Sequence, residues 1–368
     1  MTSSSLVSPL GKENKELGWV EWLRAWYLLI CEILFQKLYA RHLQNPLPLP
    51  SLGGYNCIVT GATSGIGLEI ARQLAESGAH VVMAVRNTSA ARKIIQKWQA
   101  IESYGGSLDI DVMELDLLSL ESVVKFSEAW NSSSRPLHSL INNAGIFSMG
   151  QPQTFSKDGF ETHLQVNHLA PSLLSILLLP SLQKGSPSRI VNVNSLMHRF
   201  GVIDSNDMNF TSQNRKFTSA KAYESSKLAE VMFSSVLQKH LPTNAGIYVL
   251  CVDPGTVRTN VARDIPKLVQ AGYRYLPFLF NAQEGSRSSL FAATDPAVTR
   301  YCMKLMENEW PVCAYIASSC RPVNPSREAH NVGPSQSVWE RTLEMVGLPP
   351  DAVEKLLEGK EIHCRYGI

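Results

Sequence analysis

The sequence predicts an α/β protein built on a single Rossmann-type sheet, doubly wound and parallel, with about seven strands. Short apolar runs alternate with amphipathic segments from Tyr55 onward, which is typical of a parallel sheet with helices on both faces. A glycine-rich turn follows the first of these runs and precedes a helix, as in a mononucleotide-binding unit. The 368 residues suffice for this domain, an N-terminal amphipathic helix and a C-terminal helical extension.

The composition argues against several classes of function. With a formal net charge of +2, the chain lacks the large positive charge that is typical of nucleic-acid-binding proteins, so no such partner is expected. The seven cysteines include no C-x-x-C pair, and with the nine scattered histidines they show no metal-ligand spacing. We therefore expect no metal site, and we expect reduced cysteines in a domain that occupies a reducing compartment.

The N-terminal region contains a polar segment, an apolar helix and a linker. Residues 1–17 are expected to form a mobile polar tail, and residues 45–54 a Pro/Gly linker. The segment 18–40 places apolar side chains at helical spacing, namely Trp19, Trp22, Leu23, Trp26, Ile30, Ile33 and Leu34. In a membrane-spanning helix, Glu32 would be buried in lipid at a cost of roughly 2.5–3.5 kcal/mol. A helix lying in the membrane interface is therefore favoured, with a spanning helix and a helix packed on its own domain as alternatives.

The predicted Rossmann domain covers residues 55–320, and an extension covers 321–368. Strands are predicted at 57–59, 81–85, 108–115, 138–141, 189–193, 247–252 and 313–317. Helices are predicted after the glycine turn and at 88–103, 118–130, 159–183, 222–240, 338–346 and 352–357. Ligands of such a sheet bind beyond the carboxyl ends of its strands. We expect the extension to pack around the mouth of that site.

Three glycines form the turn after the first strand. Gly61, Gly65 and Gly67 follow the spacing G-x-x-x-G-x-G, and an amphipathic helix begins among them. Such glycines permit a tight turn, close approach of backbone N–H groups to a pyrophosphate, and close packing of helix and sheet. The helix N-terminus adds unpaired donors and a partial positive charge. A dinucleotide site is therefore predicted, and a purely structural turn is the alternative.

A tyrosine and a lysine are placed four residues apart in a predicted helix. At this spacing Tyr223 and Lys227 share one face, so a phenol and an ammonium can converge. A phenol ordinarily ionises near pH 10, too high for a general base at neutral pH. A neighbouring ammonium favours the phenolate, and a positively charged nicotinamide would add to this effect. A solvated surface helix that carries this spacing by chance is the alternative.

Several short motifs follow one another in a set order along the chain. They are Thr60-Gly61-(x)3-Gly65-Ile66-Gly67, Asn142-Asn143-Ala144-Gly145, Asn167, Ser195, Tyr223-(x)3-Lys227 and Pro254-Gly255. With them the chain resembles the short-chain dehydrogenase/reductase family across about residues 51–320. The Arg-Asn after the second strand and the V-N-V-N-S-L-x-H segment are similar to the retinol-dehydrogenase-like branch. The aromatic N-terminal helix and the closing region resemble plant Forever Young-type oxidoreductases.

The resemblance implies roles for four catalytic residues. Tyr223 would donate or accept the proton, and Lys227 would lower the pKa of Tyr223 and bond the nicotinamide ribose. Ser195 would hydrogen-bond the substrate oxygen, and Asn167 would hold a water linking Lys227 to bulk solvent. The chain departs from the branch at Asn194, where a serine commonly precedes the catalytic serine. Because Ser195 itself is kept, we expect activity to be retained.

The resemblance also implies a nicotinamide dinucleotide as cofactor. The second strand ends at Arg86-Asn87 without the acid that usually grips the ribose of NAD. Arg86 could pair with a 2′-phosphate, so NADP is favoured, with NAD and an ordinary surface arginine as the alternatives. The other residues expected to contact the cofactor are Gly61, Ser64, Gly65, Ile66, Gly67, Asp116, Asn143, Ala144, Gly145, Tyr223, Lys227, Pro254, Gly255 and Thr259.

The region 259–283 is expected to close over the substrate. It is rich in apolar and aromatic side chains, which suit a lipophilic alcohol or carbonyl compound such as a retinoid, sterol, prenol or fatty aldehyde. A helix that rests on the membrane or on the partner of a homodimer is the alternative. We expect a membrane-associated enzyme whose domain faces the cytosol, at the endoplasmic reticulum or a similar membrane.

Two classes of function fit the motifs. The first is an NADP-dependent alcohol dehydrogenase or carbonyl reductase. The second is a non-catalytic regulatory protein that senses a dinucleotide on the same fold. Such sensors usually lose the tyrosine, lysine or serine, and this chain keeps Tyr223, Lys227 and Ser195. His198 follows Ser195 closely and is interpreted as a loop histidine with a satisfied partner.

Overall fold

One parallel sheet organises the chain. The computed structural model describes residues 19–100, 108–213, 215–258, 276–308 and 313–367. The strands in these ranges are β1 Asn56–Thr60, β2 His80–Val85, β3 Ile110–Glu114, β4 Ser139–Asn142, β5 Ser188–Val193, β6 Ile247–Val252 and β7 Ala314–Ile316. They pair in parallel in the order β3-β2-β1-β4-β5-β6-β7. The predicted doubly wound sheet is thereby confirmed, while the expected tail at 1–17 lies outside the described residues.

The helices cover both faces of the sheet. They are α1 Trp19–Tyr39, α2 Gly65–Glu76, α3 Thr88–Gln99, α4 Leu120–Ser132, α5 Thr162–Leu164, α6 Ala170–Leu177, α7 Leu179–Lys184, α8 Ser219–His240, α9 Ala282–Thr294, α10 Pro296–Met306, α11 Val332–Val346 and α12 Ala352–Leu357. Two apolar clusters, one on each face, form the core. Every residue of β2, β4, β5 and β6 is buried, which explains why β6, and β2 after His80, read as continuous apolar runs.

The helix predicted at 159–183 is interrupted. A π-helical turn, Gln165–Leu169, separates α5 from α6, and Leu178 separates α6 from α7. Pro171 and Pro180 account for both breaks, because proline lacks the N–H that would bond the carbonyl four residues earlier and its ring crowds that carbonyl. The prediction of one continuous helix was wrong on this point.

The C-terminal extension packs against α8. Trp339 of α11 is buried and stacks on Phe233 and His240 of α8, with ring centroids 4.9 and 4.8 Å apart. Helix α11 begins earlier than predicted, since Pro334 in its first turn has no intrahelical N–H bond to lose. No described residue of the extension lines the cleft at the end of the sheet, and its expected packing around the mouth of the site stays a prediction.

Helix α1 is packed on the domain by its polar side. Gln36 is fully buried, and Glu32 hydrogen-bonds the hydroxyl of Ser318. Much of the remaining surface of the helix exposes large apolar side chains, of which Trp26 also contacts Phe200. They are Trp19, Val20, Trp22, Leu23, Trp26, Tyr27, Ile30, Leu34, Phe35, Leu38 and Tyr39. None of the helices in the described part of the chain combines the length and the apolar character that crossing a bilayer requires. The helix is therefore the reverse of an ordinary surface helix, which buries its apolar face.

Candidate active site

A cleft of about 390 Å³ opens at the carboxyl ends of β1 and β4. These two strands are neighbours in the sheet, and the connections leave them toward opposite edges, so the cleft lies at the topological switch point. Ligands of open α/β sheets bind at this place. The predicted cofactor residues that line the cleft are Gly61, Ser64, Gly65, Ile66, Arg86, Asp116, Asn143, Ala144, Gly145, Tyr223, Lys227 and Pro254.

The turn after β1 is held against the end of β4. The hydroxyl of Thr60 accepts hydrogen bonds from the backbone N–H groups of Asn143 (3.0 Å) and Ala144 (2.9 Å), and the Asn143 amide donates to Thr60 O (2.9 Å). Gly61 has φ +67°, and a Cβ there would lie 2.9 Å from the Cβ of Ala144. A Cβ on Gly67 would lie 2.7 Å from Gly61 O. These close approaches require glycine and explain why Gly67 supports the turn without lining the cleft.

The N-terminus of α2 faces the same cleft. Ser64 is its N-cap residue, yet its side chain makes no capping hydrogen bond. The first backbone N–H groups of α2 have no intrahelical acceptor, and the helix dipole favours an anion beside them. Both features fit the pyrophosphate of a dinucleotide.

Polar residues at the ends of β2 and β3 occupy the other half of the cleft. Arg86 is exposed after β2, and no carboxylate of the described residues pairs with it. Asn87 caps α3 by accepting the N–H of Ala90 (2.9 Å). Asp116, after β3, accepts the N–H of Leu118 (3.0 Å). This arrangement could hold the adenosine, with a cation and no acid beside the ribose.

The predicted catalytic tyrosine, serine and lysine lie near one another at the ends of β5 and α8. Tyr223 lies beside Ser195, which follows β5, and Ser195 acts on the phenol in the direction that lowers its pKa. Lys227, one turn along α8, donates from Nζ to Val193 O (2.8 Å). Phe147 lines the cleft and stacks on the Tyr223 ring, with centroids 4.4 Å apart. Sequence reasoning did not single out Phe147, because nothing in its spacing marks it.

Opposing effects act on the pKa of Tyr223. Burial raises the pKa of the Tyr223 phenol, and this effect outweighs the lowering by Lys227 and by the hydrogen bond with Ser195. The negative charges of Asp253 and Glu230 raise it further. Lys227 acts on the pKa of Tyr223 in the expected direction, and burial and the two carboxylates act against it. A cationic nicotinamide would act in the lowering direction.

Asn167 lies in the π-helical turn and is buried. Its Oδ1 accepts the N–H of Ile146 (2.9 Å), and its Nδ2 donates to Ile146 O (3.0 Å) and to Ser226 Oγ (3.1 Å). The side chain thus ties the loop after β4 to α8. It bonds the residue before Lys227 and makes no direct bond with the ammonium. The proline-induced break in the helix is what turns Asn167 toward this loop.

Sequence reasoning missed one charged group. Glu230 is buried and pairs with Lys227, with 3.0 Å between Oε2 and Nζ. Asn194 donates from Nδ2 to the same carboxylate oxygen (2.8 Å). Two signals could have revealed this pair: Glu230 follows Lys227 at the spacing i+3, and Asn194 is the departure from the serine of the branch.

His198 supports the backbone of Ser195. Its Nε2 accepts the N–H of Ser326 (3.0 Å), so Nδ1 carries the proton and donates to Ser195 O (2.7 Å). Burial lowers the pKa of His198 to about 3, which keeps the ring neutral. The expectation of a loop histidine with a satisfied partner is confirmed.

The remaining predicted residues lie beside the cleft or outside the described ranges. Gly255 has φ +76°, donates its N–H to Asp253 Oδ1 (2.9 Å), and leaves room for the side chain of Gln36. Thr259 and the apolar stretch that follows it to residue 275 lie outside the described residues.

Comparisons with known proteins agree with this geometry. A family model described as short chain dehydrogenase matches residues 56–206. The dehydrogenase/reductase SDR family member FEY of Arabidopsis thaliana is 58% identical over 100% of this chain and 98% of that protein. Retinol dehydrogenase 12 of Homo sapiens is 34% identical over 81% of this chain and 88% of that protein. Among solved structures, the RhlG/NADP active-site complex of Pseudomonas aeruginosa aligns with a TM-score of 0.53 and 26% identity, over 67% of this chain and 92% of that one.

These similarities extend across the sheet and its motifs, and they confirm the resemblance that the motifs indicated. The chain therefore belongs to the short-chain dehydrogenase/reductase family, whose members are oxidoreductases that use a nicotinamide dinucleotide.

Proposed function

We propose that the protein is an NADP-dependent oxidoreductase that acts on a lipophilic alcohol or carbonyl compound, with Tyr223 as the acid–base group. The observation that carries the proposal is the placement of Tyr223 and Lys227, one turn apart on α8, in the cleft, with Ser195 beside Tyr223. The glycine turn and the uncapped N-terminus of α2 at its other end fit a dinucleotide pyrophosphate.

The residues supply proton transfer and charge stabilisation. A bound nicotinamide supplies or accepts the hydride. In the reducing direction, Tyr223 donates its phenolic proton to the substrate oxygen, and Ser195 donates a hydrogen bond to that oxygen as negative charge develops on it. In the oxidising direction, the phenolate accepts the proton of the alcohol. Lys227 favours the phenolate in both directions.

The preference for NADP rests on the end of β2. Arg86 is exposed at the cleft, and the next residue, Asn87, directs its side chain to the backbone of α3. A guanidinium pairs well with a 2′-phosphate, whereas a ribose of NAD would find no acid there. The structure of RhlG that aligns with this chain holds NADP.

A lipophilic substrate is supported by α1. Its outward face, defined as the exposed apolar residues of α1, would lie at a membrane surface while its polar side holds the domain. The aligned human protein is named a retinol dehydrogenase, that is, for a lipophilic alcohol. A retinoid, sterol, prenol or fatty aldehyde would reach the cleft from that membrane. The domain would then face the cytosol.

Turnover by the purified full-length chain tests the proposal. NADPH or NADP⁺ is supplied with lipophilic aldehydes, ketones and alcohols in detergent, and nicotinamide absorbance is followed. We expect Tyr223→Phe to reduce kcat by about 10²–10⁴ and Ser195→Ala by about 10²–10³, with dinucleotide binding retained. Tyr301→Phe, at a half-buried tyrosine of α10, is the matched control and should leave kcat unchanged. Tight NADPH binding without turnover of any compound would favour the dinucleotide-sensing regulatory protein.

A further inference from the structure

Asn194 and Glu230 form a buried polar cluster with Lys227 at the wall of the cleft, which Asn194 and Lys227 line. Glu230, Asn194 and Lys227 are each at most 4% exposed. One carboxylate oxygen, Glu230 Oε2, accepts from Lys227 Nζ (3.0 Å) and from Asn194 Nδ2 (2.8 Å). The same Nδ2 also donates to the backbone oxygen of Lys227 (2.9 Å). All three side chains therefore share one network.

The network leaves one donor of the ammonium uncommitted. Lys227 Nζ has three protons, and its bonds to Val193 O and to Glu230 use two of them. A buried ammonium needs a counter-charge, because desolvation otherwise penalises its charged form. Glu230 supplies that charge from the side away from the cleft. The third proton is left for a group in the cleft, which Lys227 lines.

The network also reaches the backbone of Ser195. Asn194 Oδ1 accepts the N–H of Ser195 (2.8 Å), while its Nδ2 holds Glu230. A side chain that makes both bonds needs an acceptor and a donor on separate arms. An amide has them, and the hydroxyl of a serine does not. The presence of Asn194 where the branch commonly has serine is thus matched to the presence of Glu230.

We propose that Glu230 and Asn194 are positioning residues, which fix the Lys227 ammonium and the Ser195 backbone relative to each other. The negative charge of Glu230 also partly offsets the effect of the Lys227 charge on Tyr223. This inference rests on the proposed function. Its consequence is a Tyr223 phenol that ionises at a higher pH than Lys227 alone would set.

The charged groups around Tyr223 and Lys227 determine the sign of the test. Tyr223 faces Lys227, Glu230 and Asp253, and the two carboxylates raise its pKa. Three further titratable groups surround the Lys227–Glu230 pair, namely His168, Cys251 and Tyr315. Burial lowers the pKa of His168 to about 3 and raises the pKa values of Cys251 and Tyr315, so all three are neutral at pH 7. Neutralising Glu230 therefore lowers the pKa of Tyr223.

The experiment compares wild type, Glu230→Gln, Asn194→Ser and the double variant in the oxidising direction. Gln keeps the shape of Glu230 and an acceptor for Lys227 and Asn194. We expect Glu230→Gln to shift the midpoint of the kcat–pH profile by about one unit to lower pH. We expect Asn194→Ser to reduce kcat, because it removes the bonds of Asn194 to Glu230 and to the Ser195 N–H. The double variant should lose no more kcat than Asn194→Ser, because the glutamine of Glu230→Gln still offers Lys227 an acceptor and the bond with Asn194 is already gone. Glu354→Gln, at an exposed carboxylate of α12, is the control.

Several outcomes would overturn the inference. A Glu230→Gln profile with an unchanged midpoint, or one shifted to higher pH, contradicts it, and so does a change of Tm alone. A loss of kcat in the double variant beyond that of Asn194→Ser contradicts the shared network. If wild type shows no turnover, the proposed function fails separately. Ultraviolet difference titration of wild type against Tyr223→Phe then still reports the phenol, and its midpoint must be lower in Glu230→Gln.

Discussion

The side chain of Gln36 pairs with the backbone of Thr256 as a neighbouring strand would. Gln36 Nε2 donates to Thr256 O (3.0 Å), and Gln36 Oε1 accepts the N–H of Thr256 (2.9 Å). Nε2 also donates to Phe278 O (2.9 Å). Gln36 thus attaches α1 to two backbone segments beside the cleft. One is at Thr256, which directly follows Gly255, and the other is at Phe278.

Removing this side chain should weaken the attachment of α1. We expect Gln36→Ala to lower the free energy of unfolding by about 1–3 kcal/mol, because it leaves the half-buried N–H of Thr256 and carbonyl of Phe278 without their side-chain partner. Urea denaturation at constant pH measures this difference. Lys37→Ala, at the exposed neighbouring position, is the control and should change it by less than about 0.5 kcal/mol. Equal stabilities of the two variants would show that Gln36 does not hold the helix.

The outward face of α1 should bind lipid. Replacing Trp22, Leu34 and Phe35 together by serine should reduce co-sedimentation with phospholipid vesicles at least tenfold, because each apolar side chain contributes to insertion at the interface. Turnover of a water-soluble aldehyde should be unchanged, since these residues do not line the cleft. Vesicle binding equal to that of wild type would show that the outward face is not the membrane contact.

The control for the vesicle experiment is a triple serine variant elsewhere on the surface. Glu76, Lys93 and Lys304 are suitable, because they lie on other helices and are not buried. This variant should bind vesicles as wild type does. If the control variant also lost vesicle binding, the loss in the first variant would be explained by surface charge and not by the outward face.

The choice of cofactor should depend on Arg86. We expect Arg86→Gln to lower the preference for NADPH over NADH by about tenfold to a hundredfold in kcat/KM, as expected for a lost charge-assisted hydrogen bond. Steady-state kinetics with both cofactors provides the measurement. Arg92→Gln, at an exposed arginine of α3, is the control and should keep the preference of wild type. An unchanged ratio in Arg86→Gln would make Arg86 an ordinary surface arginine.

Two buried carboxyl groups should make stability depend on pH. Burial and then the charge of Glu32 raise the pKa of Asp253 to about 7, and burial raises the pKa of Glu32. Both groups are raised above their unfolded values, so the stability they contribute is complete below about pH 4. It is lost as pH rises through about 7, where Asp253 ionises in the folded protein.

Glu32→Gln should reduce this dependence. The free energy of unfolding of wild type should fall between pH 5 and 8, and that of Glu32→Gln should fall less, because one ionising group and its repulsion of Asp253 are gone. Urea denaturation at both pH values measures the difference. Glu21→Gln, on the same helix, is the control and should follow wild type. A steeper decrease in Glu32→Gln would contradict the assignment.

The topology was predictable because its signals are local. Apolar runs at Val81–Val85 and Ile247–Val252 are buried on both sides of the sheet, so they appear in the sequence as uninterrupted apolar strands. The glycine turn was visible for a similar reason, since the φ of Gly61 and its contact with Ala144 admit no side chain. The break of the helix around Pro171 was overlooked, although proline is itself a local signal.

The orientation of α1 and the surroundings of Lys227 could not be predicted in this way. Periodicity shows that α1 has two faces, but Gln36 finds its partners more than two hundred residues away, at Thr256 and Phe278. Glu230 lies at an ordinary helical spacing that says nothing about burial. Only the packing of α8 against β5 removes water from it and makes its pairing with Lys227 and Asn194 necessary.

The sequence by itself determined three features: the order in which the motifs follow the strands, the glycine turn, and the identity of the groups near the cleft. These depend on steric limits and on chemistry carried by single residues. The tertiary structure alone decided that burial outweighs Lys227 in setting the pKa of Tyr223, and which side of α1 faces outward. Both results depend on how much water remains around a side chain, and distant parts of the chain determine that once they are packed together.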